Sequence, residues 1–399
     1  MKRLIALIVW CVLMSNIDAQ NFIADHVVAN EEVLRIIPKE FIDKARNELK
    51  IAYQHTSHGT HVSRGMFGLP DYKPGDDELF AITNDNPQAG KLEFHDYALA
   101  DYAPQGVDAA DLSREETAFI QTTRNYLDAP ENAEINVVMW SWCDIKGHNA
   151  TGNYLPGMQS LIDEYGEGGS KIGTGEGKTR VVPVHFIFMT GHANRDDNIG
   201  DGKPKNQADL INNYCIENEY FCLDYYAIDS HDMTSAYWDD AGDDGNSTNY
   251  GGTEKFYQDY EDSKSIGDGF YENKREPNGM ISRGSHTTQH ITSNRKAYAM
   301  WWILTRIAGW DGLANSDIAV NEVKMDDLAY FDHLNKRLII KDQEGTIGCY
   351  CKLYDLEGKL VKSDIIDGTI FSMSDITAGA YVMVLESDNL KTSKKIVIQ

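Results

Sequence analysis

Positive charge is scarce in this sequence. Its 399 residues carry 37 lysines and arginines against 62 aspartates and glutamates, a formal net charge of −25. Nucleic-acid binding needs basic stripes that neutralise phosphates, so this composition argues against that partner. An anionic substrate remains compatible, because a small cationic site can sit within an acidic surface whose repulsion is screened by salt. Cysteine is also scarce. Of six, Cys11 belongs to the N-terminal leader, and Cys143, Cys215, Cys222, Cys349 and Cys351 are odd in number and lack zinc-ribbon spacing. Neither a disulfide framework nor a zinc ribbon therefore organises the chain. Cys215 and Cys222 fit either a bridge or buried thiols. Long apolar runs are missing too: after the leader no stretch reaches the ~18 apolar residues of a spanning helix, so no integral membrane segment is expected.

What is present supports a large folded protein. Hydrophobic residues make up 42% and charged residues 25%, enough for a sizeable core, and the length suits two or three domains. Met1-Lys2-Arg3, the apolar run 4–14 and Ile17-Asp18-Ala19 have the form of an export signal, with cleavage expected after Ala19. From about residue 20 to 314, apolar strand candidates (49–54, 135–140, 181–189, 221–228) alternate with helical stretches (114–127, 155–165, 205–218, 294–308). That alternation predicts an α/β domain whose parallel sheet is covered on both faces, with chemistry just after the strands.

From 319 to 399 the pattern becomes short strands (337–341, 348–354, 359–366, 369–372, 380–386, 394–398) separated by Glu357-Gly358, Asp367-Gly368 and Ala378-Gly379. This predicts a small antiparallel β-sandwich. LYDLEGKLV (353–361), SDITAGAYVMVLES (374–387) and the terminal KKIVIQ (394–399) resemble the C-terminal sorting domain of type IX secretion. The resemblance implies a Bacteroidetes-type source, export across the outer membrane and the secretion machinery as a partner. Of twelve histidines only His333 lies in this part, so chemistry is expected upstream.

Three strand ends carry polar runs. The first reads Gln54-His55-Thr56-Ser57-His58-Gly59-Thr60-His61. Ser57 there could act as a nucleophile if a histidine base reaches it, whereas His55, His58 and His61 could hold a metal. The second reads Trp140-Ser141-Trp142-Cys143-Asp144, and Trp142 is a candidate substrate contact. The third reads Gly191-His192-Ala193-Asn194-Arg195. His192 and Asn194 suit hydrogen bonding to an oxyanion or carboxylate; alternatively Asn194 or Asp144 caps a helix. A further histidine pair, His286 and His290, precedes a helix containing Trp301 and Trp302.

The order of these segments resembles the SGNH hydrolase superfamily, which implies a flavodoxin-like three-layer domain. The H-x-S-x-G of His55, Ser57 and Gly59, the block 137–145 and the block 290–312 carry the resemblance. It implies Ser57 as nucleophile and His290 as general base. The family's aspartate three residues before the histidine is here Thr287, and its Gly-x-Asn-Asp block has no plain counterpart. Asp229, Asp232 or Asp268 would have to orient the imidazole instead.

Residues 229–263 form a long insertion with ten acidic side chains and one lysine, interleaved with aromatics. It fits either a calcium-holding loop or a solvated surface, and its aromatics fit either sugar stacking or core packing. The whole arrangement resembles the ulvan lyases of marine Bacteroidetes. That implies β-elimination on a uronate-containing anionic extracellular polysaccharide, with no required cofactor. The expected base is His58 or His290, with His192 nearby. Asn194 together with Arg195 or Arg64 is expected on the carboxylate, and His55 at the substrate. A carbohydrate esterase using Ser57 and His290, and a non-catalytic glycan-binding protein, are the alternatives.

Overall fold

The computed structural model describes residues 22–312 and, in the C-terminal part, 328–332, 336–341, 346–354, 360–387 and 390–398. The leader expected at 1–19 and His333 lie outside the described residues. The chain divides into two compact units, Met1–Ala314 and Asn315–Gln399.

The first unit is built on seven strands: β1 (Ile23–Ala24), β2 (Lys50–Gln54), β3 (Ile82–Asn84), β4 (Leu92–Asp96), β5 (Val137–Trp140), β6 (His185–Met189) and β7 (Cys222–Leu223). They pair in the order β1-β7-β6-β5-β2-β4-β3, and every pair is parallel. Omitting the edge strands β1 and β3, the order is 2-1-3-4-5, that of flavodoxin-like sheets. The strand order reverses between β2 and β5, where the chain steps to one side for β4 and to the other for β5, so the crevice for a ligand lies where His55–His61 and Ser141–Asp144 leave the sheet.

The helices are α1 (Glu31–Ile36), α2 (Lys39–Glu48), α3 (Thr60–Gly68), α4 (Asp76–Leu79), α5 (Ala118–Asp128), α6 (Leu155–Tyr165), α7 (Pro204–Asn218), α8 (Tyr225–Ser230), α9 (Phe256–Asp262) and α10 (Ile291–Ile307). Strand alternation assigns the two faces. Ile51, Tyr53, Val137, Met139, Ile187 and Met189 pack with α1, α2, α3 and α10. Ala52, Val138, Trp140, Phe186 and Phe188 pack with α5, α6 and α7. The result is three layers.

One expected element differs in type. The stretch 221–228 is a strand only at Cys222–Leu223; Asp224 then caps α8 by accepting a hydrogen bond from the Ala227 N–H. An aspartate cap ends a strand reading that apolar residues alone would extend. Of the two readings open for Cys215 and Cys222, the structure has the buried free thiols.

Residues 291–306 of α10 are all buried, and its first half is polar. Each polar group has a partner: Ser293 donates to the Arg283 carbonyl, Asn294 pairs with Asn273 and Tyr271, and Arg295 donates to the carbonyls of Ile228 and His231 and to the Tyr257 hydroxyl. Lys296 forms a fully buried ion pair with Asp229. Through these bonds one central helix holds the insertion against the sheet.

The second unit has β8 (Ala329–Asp332), β9 (Arg337–Ile340) and β12 (Ile370–Ser372) in one antiparallel sheet. A second contains β11 (Leu360–Ile365), β10 (Tyr350–Tyr354), β13 (Gly379–Ser387) and β14 (Leu390–Ile398). Leu338 and Ile340 of the first share a core with Leu353, Met383, Leu385 and Ile396 of the second.

Candidate functional site

The turn after β2 is shaped by close packing. Ser57 takes a left-handed backbone (φ 33°) and opens a short 3-10 turn, Ser57–Gly59, that runs into α3. A Cβ on Gly59 would fall 2.4 Å from His55 Cβ and 2.4 Å from Ser141 Oγ, so only glycine fits where β2 and β5 release the chain. The Tyr53 hydroxyl donates to the Gly59 carbonyl and Thr60 Oγ1 to the Ser57 carbonyl. The histidines of the turn go separate ways.

His58 enters the centre. Its Nε2 lies 2.6 Å from Asp243 Oδ2. Its ring is stacked between two others, His192 at 3.7 Å and His286 at 4.3 Å between centroids. Burial alone would lower the His58 pKa, but Asp243 and the neighbouring Cys143 prevail and raise it to about 9. Asp243 is desolvated too, yet His58 holds it below the ordinary carboxylate range. His192 is lowered to about 4 by burial and by the His58 charge, and its Nδ1 donates to the Ala193 carbonyl. Cys143 is lowered, first by His58 against the opposing effect of burial, then by the Ser57 hydroxyl. The thiol sits beside His58 without hydrogen-bonding geometry, because His58 Nδ1 is buried with no partner. His286 is exposed and left-handed (φ 62°).

Under this cluster, His61 is buried between the Tyr225 hydroxyl on Nδ1 and the Ser285 carbonyl on Nε2. Burial, Lys296 and His58 push its pKa well down. Among the described residues, one set of three metal-ligating side chains converges: His58, Asp243 and His286. The turn triplet His55, His58 and His61 does not.

The structure engages several expected site residues in contacts apart from the His58 cluster. His55 is fully buried, with Nε2 2.7 Å from Asp96 and the Tyr97 ring 4.1 Å above it. Arg64 donates to the same Asp96, to the Arg275 carbonyl and to Ser63. It therefore ties β4 to α3 rather than waiting for a carboxylate. Trp142 is 1% exposed and its indole N–H donates to the Met189 carbonyl, leaving no face for a sugar. The Asn194 N–H donates to Asn198, which in turn holds the Asp239 and Ala241 carbonyls. Asn194 also bridges Gly242, and Arg195 donates its backbone N–H to Ala241. This pair fixes the segment that presents Asp243.

His290 is the largest displacement. It is 3% exposed and precedes the first turn of α10, where its Nδ1 accepts the Asn273 N–H and its ring faces Phe270. Burial and Arg283 lower its pKa to about 4. The histidine from this segment that reaches the cluster is His286, four residues earlier. Of the acids offered as an orienting partner, Asp229 pairs with Lys296 and Asp232 binds Thr234, Ala236 and Trp238. The partner is Asp243.

The insertion's carboxylates do not gather into a calcium cage of their own. Asp240 accepts from Ser247, Thr248 and Asn249, while Asp259 accepts from Thr253. Its aromatics Phe256 and Tyr257 are core residues. Sequence reasoning missed Asp243, one of ten acids in the loop, and had no signal to select it. It also missed Cys143 and His286, although both lie in polar segments that it had flagged.

The tail matches a known family. Residues 335–399 belong to the secretion system C-terminal sorting domain. No curated protein matches the chain. The sorting domain marks the protein for type IX export to the cell surface or the medium and implies contact with that secretion machinery. Among the described residues no helix is long and apolar enough to cross a membrane.

Proposed function

We propose that the first unit is an SGNH-like domain acting as a polysaccharide lyase, cleaving a uronate-containing, ulvan-like algal polysaccharide by β-elimination. The observation that carries this reading is the triple imidazole stack His192–His58–His286 with Asp243 on its central ring. Elimination removes the C5 proton, moves that electron pair into a C4–C5 double bond and expels O4. It needs a base, a positive field where the carboxylate gains charge, and a proton for O4. His286, the exposed ring, is the base. His58, held in its charged form by Asp243, supplies the field. The Cys143 thiol, beside His58 and Ser57, protonates the departing O4. Export of the chain fits a polymer too large to enter the cell.

A second reading, acyl transfer from an acetylated glycan, is favoured by the left-handed backbone at Ser57, which turns that residue at a strand end. Against it, among the described residues no imidazole hydrogen-bonds to the Ser57 hydroxyl, whose neighbour is Cys143. Purified protein incubated with a panel of uronate polysaccharides and acetylated glycans separates the readings. The expected result is ultraviolet absorbance from unsaturated uronate without released acetate. Acetate alone would establish the esterase, and neither product from a glycan that it binds would leave a binding protein.

A further inference from the structure

We propose that His58, Asp243 and His286 bind one divalent transition-metal cation of the zinc class. Ligand atoms from the three residues lie within 4.8 Å of one another. They come from three separate places, the turn after β2, the insertion and the loop before α10, so the convergence is a property of the fold and not of one segment. A second observation is independent of that spacing: His58 is 7% exposed, and its Nδ1 is buried without a partner. A buried ring nitrogen normally has one. When the other nitrogen carries a cation, the free N–H gains acidity and turns to a neighbouring acceptor. Here that neighbour is the Cys143 sulfur.

The donor set selects the cation. Two imidazoles and one carboxylate match zinc sites that keep a fourth position open, whereas calcium and magnesium prefer all-oxygen shells. Bonds of ~2.0–2.2 Å in a tetrahedron place ligand atoms about 3.3 Å apart. His58 Nε2 and Asp243 Oδ2 now stand 2.6 Å apart across one proton, so exchanging that proton for a cation opens the pair by less than ~1 Å. His286 closes in from an exposed loop. Proton and cation are thus alternative occupants of one edge. Binding does not depend on which reaction the site runs. Resting on the lyase reading, a bound cation would occupy the lone pair with which His286 acts as base, so elimination would belong to the metal-free protein and zinc would compete with it.

The test uses the full chain, dialysed against chelator and then titrated calorimetrically with Zn²⁺ and, separately, with Ca²⁺. Cobalt replaces zinc for visible spectroscopy. One zinc per chain is expected, with no calcium heat and with tetrahedral cobalt bands. His286→Ala, at an exposed position that leaves packing intact, and Asp243→Asn should each weaken zinc binding at least ~10-fold, the loss seen on disturbing even an outer-shell partner. Absence of stoichiometric zinc binding, or binding unchanged in both variants, overturns the proposal. Product formation is assayed in parallel on metal-free protein. Unsaturated product without zinc binding would sink the cation site and keep the lyase. Zinc binding without product from any uronate glycan would do the reverse.

Discussion

Removing either member of the Lys296–Asp229 pair should destabilise the first unit by similar amounts at neutral pH but with opposite pH dependence. Both side chains are fully buried. Burial raises the pKa of Asp229 although Lys296 opposes it, and burial lowers that of Lys296 although Asp229 opposes it. In Lys296→Met the carboxylate keeps only the Ala193 N–H at 3.4 Å, so the least costly escape is to take up a proton. Holding that proton at pH 7, against an unfolded-state pKa near 3.9, costs roughly 1.36 × 3.1, or about 4 kcal/mol. At pH 5 the same product is about 1.5 kcal/mol. In Asp229→Asn the stranded ammonium must instead lose its proton, which costs about 1.36 × 3.4, near 4.6 kcal/mol at pH 7, and more as pH falls. The signs follow directly: a raised carboxylate pKa makes the lysine variant relatively weaker as pH rises, and a lowered lysine pKa makes the aspartate variant relatively weaker as pH falls. The double variant Asp229→Asn/Lys296→Met should recover most of the loss, because a buried pair replaced by groups of similar volume is often neutral. Urea unfolding followed by tryptophan fluorescence reads this unit cleanly, since no tryptophan lies beyond Trp310. A cost below ~1 kcal/mol for Lys296→Met at pH 7, or the same pH slope in both single variants, would refute the argument, because breaking a buried pair typically costs 3–5 kcal/mol.

Asp224, fully buried as the cap of α8 and bonded to Thr190 and Asn212, is raised to about 6 chiefly by burial. Its folded pKa exceeds its unfolded value, so its contribution is present at low pH and lost as pH rises from about 4 through about 6. Asp224→Asn should flatten that part of the wild-type-minus-variant stability curve; an unchanged slope in urea titrations would count against it. Gly59→Ala should destabilise by at least ~1–3 kcal/mol through the clash with His55 and Ser141, and a neutral melting temperature would show that the turn relaxes freely. His286→Ala should reduce elimination ~10²-fold or more while leaving circular dichroism unchanged, and near-normal turnover would remove it as the base. Protein ending at Ala314 should keep full specific activity, because the cluster lies wholly in the first unit; loss of activity from a folded truncation would contradict that placement.

The parts of the fold that could be read in the sequence are those whose burial is dictated by local pattern. β2, β5 and β6 are apolar runs, and they are the central strands, buried on both faces. α6 and α7 carry helical periodicity, and observed bounds of Leu155–Tyr165 and Pro204–Asn218 fall within a residue of the predicted ones. The sorting tail was legible by resemblance. Edge elements were not. β1 is two residues long and β3 three, too short to carry a period. β4 does alternate, with Leu92, Phe94 and Asp96 inward, but its histidine and two acids mask the apolar rhythm.

The site was half legible for a related reason. Strand-end chemistry follows from topology, so the turn at His55–His61, Cys143 and His192 could be placed at the mouth from the sheet alone. What topology does not supply is the path of residues 231–290, a long connection with little regular structure. Its course is set at a distance, by Arg295, Lys296, Asn294 and Ser293 on α10 binding Ile228, His231, Asp229, Tyr271 and Arg283. In sequence these look like an ordinary polar start to a helix. In space they decide that Asp243 and His286, rather than Asp232 and His290, meet His58. The family resemblance pointed to the last histidine before the helix. That residue is pinned by Asn273, and the chain one turn earlier, free of the helix, carries the exposed ring. Buried polar side chains of one helix thus select which residues of another segment meet His58, so the function proposed for this cluster stands or falls with the α10 anchors.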